Sequence, residues 1–173
     1  MKKAKKRPSK NLTRFLFILY LIVLTWVILF KMELDFSLLK NMNDRSINLI
    51  PFAESVTING KTDISEILLN VIVFIPFGIY ISMLHKPWNF IQKIIPIFCV
   101  SLLYEVLQYA FAIGGSDITD LIGNTLGGII GMILFFILIR MFGKDIIWTI
   151  NLVASIGTTV VILFLGLLVY ANM

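Results

Sequence analysis

Five apolar stretches, roughly Phe15–Phe30, Glu66–Leu84, Ile94–Ile113, Leu121–Phe142 and Ile146–Tyr170, account for most of this chain. Each comes close to or passes the ~20 residues that an α-helix needs to cross hydrocarbon. The first is short at its core, but Arg14 and Lys31 can snorkel outward and extend it. It is longer than a signal-peptide core and lacks a small-x-small cleavage site, so it reads as a retained helix. Hydrocarbon leaves no partner for an unpaired backbone group, and runs of this length satisfy theirs as helices. The expected fold is therefore all-α, a polytopic membrane helical bundle of about five transmembrane helices. The chain is 58% hydrophobic and 14% charged, with a mean hydropathy of +0.93. A soluble domain of 173 residues could not bury that much apolar surface, so a soluble enzyme is excluded.

Charge orients the bundle. Lys2, Lys3, Lys5, Lys6, Arg7, Lys10 and Arg14 are seven of the fifteen basic residues, which leaves eight basic against ten acidic in the rest. Residues 1–14 read as a basic cytoplasmic tail ahead of a single membrane domain at residues 15–173. A cytoplasmic N-terminus puts Lys86, Lys93, Arg140 and Lys144 on the same side as the tail, against Lys31, Lys40, Arg45 and Lys61 outside. That is a clear positive-inside bias. A basic tail beside a hydrophobic segment points to anionic lipid, not to nucleic acid. The extracytoplasmic loop then spans 32–65, with Asn48-Leu49-Ile50-Pro51-Phe52 placed to lie in the headgroup interface. Cys99, the lone cysteine, excludes an internal disulfide and is expected to be a buried, inert thiol.

Polar side chains inside the apolar stretches carry the functional information. Glu66 and Asn70 are four apart and share a helix face; Glu105 and Gln108 are three apart and do the same. Glu105 is flanked by Leu102, Leu103, Val106 and Leu107, so its carboxyl must be protonated, solvated in a cavity or paired. Asp117, Asp120 and Asn124 align on one stripe if the fourth helix begins by Asp117, although capping alone would account for Asp117. A charged or amide group in a span is disfavoured by about 2.5–3.5 kcal/mol on insertion scales, so seven of them near one end imply partners and a purpose. Gly123, Gly127 and Gly131 repeat every four residues, a pattern that allows helices to approach closely. Pro76, with Gly78 behind it, kinks the second stretch.

In order and spacing these pieces resemble the VanZ-like family. They are Asn48-Leu-Ile-Pro51-Phe52, Glu66 to Asn70 followed by Phe74-x-Pro76-x-Gly78, Tyr104-Glu105 with Gln108, and Asp117-Ile-Thr-Asp120-Leu with Asn124-Thr-Leu-Gly127-Gly128. The match covers roughly residues 48–131. Many members carry an arginine just before the paired aspartates, a place held here by Gly114-Gly115-Ser116. The resemblance implies a bacterial plasma-membrane protein of the cell envelope, associated with lowered susceptibility to glycopeptides such as teicoplanin.

Three functional classes follow from the residues. In the first, an outward-facing pocket of Glu66, Asn70, Glu105, Gln108, Asp117, Asp120 and Asn124 binds a membrane lipid, a lipid-linked cell-wall precursor or a lipoglycopeptide. In the second, paired carboxylates hydrolyse lipid-linked envelope precursors, although no nucleophile–base constellation is visible. In the third, the chain is a small transporter, for which five helices without an inverted repeat are few. No cofactor is implied, although Asp117 and Asp120 could hold a divalent cation. Oligomeric state is left open.

Overall fold

The computed structural model describes residues 10–29, 46–52, 57–58, 61–62 and 65–171. Most of the expected loop 32–65 and the tail 1–9 lie outside them. Five long helices dominate: α1 Lys10–Leu29, α2 Ser65–Leu84, α3 Phe90–Phe111, α4 Ile118–Phe142 and α5 Ile146–Ala171. Among the described residues, four continuous stretches are long and apolar enough to cross a membrane, the last of which, Ile118–Phe164, takes in α4 and most of α5. A single 3-10 turn at Gly143–Asp145 breaks it, with Gly143 at φ +65°. The fold is an all-α membrane bundle. Among the described residues, strand structure is limited to two-residue pieces: β1 Ile47–Asn48, β2 Thr57–Ile58, β3 Lys61–Thr62 and β4 Ser116–Asp117.

α1 and α3 start furthest ahead of where hydropathy alone places them. α1 begins at Lys10, inside the expected basic tail, because its first turn has something to pack against. Thr13 is buried and exchanges hydrogen bonds with Asn151 of α5, at 3.2 and 2.9 Å. α3 begins at Phe90, where Asn89 and Gln92 form a reciprocal capping box with both bonds at 2.9 Å. Pro96 lies within α3, so that helix lacks a backbone donor just as α2 does at Pro76.

α2 and α4 make the closest contact in the bundle. A side chain at Gly127 would overlap the Val71 carbonyl, and one at Gly131 would overlap that of Ile75. Gly123 faces Ile67 and Asn70 in the same register. Partners rise together in number, so α2 and α4 run parallel with their backbones nearly touching. α3 runs antiparallel to α4: Glu105 meets Asp117, Ser101 meets Asn124, and Ile97 meets Gly128. Between α1 and α2 lies an aromatic core in which Phe17 meets Phe77 edge-on at 5.3 Å between ring centres. The Tyr20 hydroxyl donates to the Val73 carbonyl at 2.7 Å, three residues before Pro76.

The outward faces are apolar, as lipid requires. Phe98, Leu102 and Val106 of α3 are exposed, and so are Ile156, Val160 and Leu163 of α5. Cys99 belongs to this outer surface. It is exposed rather than buried, because its position on α3 turns away from both α1 and α4.

Candidate functional site

α3 builds the centre of the site. Ser101, Glu105 and Gln108 follow at spacings of four and three, so one face of the helix carries all three. Every one of them is buried, Glu105 to 3% exposure. The helix stops at Ala112, which adopts a left-handed conformation (φ 57°, ψ 35°) and donates its N–H back to the Gln108 and Tyr109 carbonyls. Gly114 and Gly115 then lead the chain straight to Asp117, the N-cap of α4.

Asp117 is the hub. Its backbone N–H donates to Glu105 Oε2 at 2.9 Å, which closes the α3–α4 connection on itself. Its side chain caps α4 by accepting the Thr119 N–H at Oδ1, 2.7 Å away. Its other oxygen, Oδ2, accepts from Asn48 Nδ2 at 3.2 Å. The backbone at Asp117 is extended (φ −120°, ψ 125°), so the expected three-residue helical stripe shrinks to Asp120 and Asn124. Asp117 stands just before it. Asp117, Asp120 and the Ser116 side chain are all within interaction range of Glu105.

The loop motif is drawn over this end of the bundle. β1 pairs in parallel with β4, matching Ile47 to Ser116 and Asn48 to Asp117. Asn48 is buried, and its Oδ1 accepts the Ile50 N–H at 3.0 Å. Pro51 carries the turn to Phe52, whose N–H donates to Thr119 Oγ1 at 3.0 Å and whose φ is +63°. Around the inward Asn48, the side chains of Ile47, Leu49, Ile50 and Phe52 are all more than half exposed. Polar inside and apolar outside is the pattern of a segment lying against lipid.

Of the expected residues, Glu105, Asp117, Asp120 and Asn48 lie together, and the others meet separate partners. Asn70 is buried against Gly123, the residue before Asn124. Asn124 is fully buried and donates from Nδ2 to Ser101 Oγ at 2.9 Å. Gln108 reaches toward α1, donating from Nε2 to the Ile28 carbonyl at 3.1 Å. Glu66 is the outlier: it sits exposed on the first turn of α2.

Polar residues beyond the expected set also take part. Thr119 anchors Phe52, Ser101 receives Asn124, and Thr25 shares a 2.9 Å hydroxyl contact with Tyr104. Ser101 was findable, since it continues the Glu105–Gln108 face by one turn. Thr119 and Thr25 were not, because a threonine in a helix ordinarily bonds to its own backbone.

A family model, VanZ/LLP1, matches residues 17–140. The chain is also 41% identical over 127 residues to Protein VanZ of Enterococcus faecium, which covers 73% of this chain and 75% of that one. The chain belongs to the VanZ/LLP1 family. No solved structure matches it.

In this VanZ-family chain the polar end is rich in acceptors. Glu105 Oε1, Gln108 Oε1, Asn124 Oδ1 and the Thr125 hydroxyl are buried and find no hydrogen-bond partner among the described residues. An unsatisfied buried polar atom costs about 1–3 kcal/mol, so each of these calls for an explanation. Among the described residues there is no group of three or more His, Cys, Asp or Glu side chains placed to hold a metal ion. Both Asp117 oxygens are already taken up by Thr119 and Asn48. What the arrangement offers is hydrogen-bond acceptance by buried atoms, where each bond counts for more than it would in water.

Proposed function

We propose that this VanZ-family protein acts at the bacterial cell envelope, from the outer face of the plasma membrane, and lowers susceptibility to glycopeptides such as teicoplanin. Its polar site receives a donor-bearing headgroup, that of a lipid-linked cell-wall precursor or of a lipoglycopeptide, whose hydroxyl and amide N–H groups meet the buried acceptors. The observation that carries this reading is the set of unpaired acceptors on Glu105, Gln108 and Asn124. The exposed apolar rim at Ile47, Leu49, Ile50 and Phe52 supports it, because a headgroup entering from the lipid would pass that rim. The outward orientation rests on the excess of basic residues at the opposite end.

The test is glycopeptide tolerance in a susceptible host expressing the chain. Glu105→Gln and Asp120→Asn should each abolish tolerance at unchanged membrane abundance. Tolerance kept by both variants would overturn the reading.

A further inference from the structure

At the end of the bundle away from Glu105 lies a cavity of about 450 Å³, among the ends of α2, α3 and α4. Its size falls within the roughly 300–1,000 Å³ of ordinary small-molecule sites. One wall follows α4 from Met132 through Phe136 to Ile139, about 10 Å of helix rise, and Phe90 of α3 forms part of another. These groups are apolar and suit a hydrocarbon chain.

The charged lining is one-sided. Lys86, just beyond α2, and Lys93, in the first turn of α3, both line the cavity, and among the described residues no acid does. That first turn contains no acidic residue, although a helix N-terminus carries partial positive charge and ordinarily attracts one. Beside it, His85 and Trp88 stack at 4.0 Å between ring centres in the short turn that joins the two helices. Tryptophan at a helix end marks the headgroup level of a membrane.

We infer that this cavity is a binding site for an anionic phospholipid, with an acyl chain along α4 and the phosphate between Lys86 and Lys93. The apolar wall selects a lipid over a free anion, and the unopposed lysines select an anionic lipid over a zwitterionic one. The site is separate from the acceptor cluster and does not depend on what binds there.

Native mass spectrometry of the purified full chain tests it, titrating phosphatidylglycerol against phosphatidylcholine of the same acyl composition. Phosphatidylglycerol should be retained roughly thirty-fold better, as two lysines near a headgroup would provide. Lys86→Gln with Lys93→Gln should remove that preference. Ile139→Trp, which fills the apolar wall, should weaken phosphatidylglycerol binding while leaving both lysines in place. A large excess of inorganic phosphate should not displace the lipid. Equal retention of the two lipids by the unaltered chain would overturn the assignment, as would a preference that survives the double lysine change, full binding by Ile139→Trp, or displacement by phosphate.

Discussion

Glu105 accepts the backbone N–H of Asp117 at 2.9 Å, and through this bond the end of α3 holds the start of α4. The carboxylate therefore has one oxygen committed to the fold and one left over. Those two oxygens can be separated by experiment.

Glu105→Gln keeps an acceptor for the Asp117 N–H, so its thermal stability in detergent should stay within about 1 kcal/mol of the parent. Glu105→Leu leaves that N–H unpaired and should cost about 1–3 kcal/mol. Equal melting of the two variants would show that the bond contributes nothing to the fold.

Gly127 sits where α2 and α4 come nearest, and an added methyl would run into the Val71 carbonyl, a backbone atom that cannot rotate away. Gly127→Ala should destabilise by about 1–3 kcal/mol through overpacking. Gly157, with nothing within 4 Å of the same methyl, supplies the contrast. Gly157→Ala should be neutral, or stabilising by about 0.5–1 kcal/mol. Helical circular dichroism on heating distinguishes these outcomes.

Thr13 and Asn151 form a buried pair between the start of α1 and the start of α5, 138 residues apart in sequence. A double-mutant cycle with Thr13→Val and Asn151→Leu should give a favourable coupling of about 0.6 kcal/mol, ordinary for polar pairs between membrane helices. Strict additivity would mean that the pair contributes no coupling.

Ala112 holds a left-handed conformation at the end of α3 that costs an L-residue about 1–2 kcal/mol. Ala112→Gly should therefore raise the melting temperature. A fall would mean that the buried methyl packs more favourably than the backbone is strained.

How much of this could be read without coordinates depends on how local each feature is. Helix existence was legible, because length and hydropathy act within one segment. So was the shared face of Glu105 and Gln108, which follows from three-residue spacing, and so was the capping role open to Asp117. The apolar outer half of α5 was equally plain.

Other features were decided only by packing. Nothing in the spacing of Gly123, Gly127 and Gly131 names Val71 and Ile75 as the backbone they approach. Nor does any local pattern turn Gln108 toward Ile28 on α1, or set Asn48 against Asp117 across 69 residues. The start of α1 at Lys10 depends on Asn151, and Glu66 is left exposed while Asn70, one turn further on, is buried. The amino-acid order settles what each helix can present on its faces, because backbone hydrogen bonding sets that geometry within a few residues. Which face meets which was settled by close packing between segments far apart in the chain, where a single backbone approach determines the neighbours of every side chain nearby.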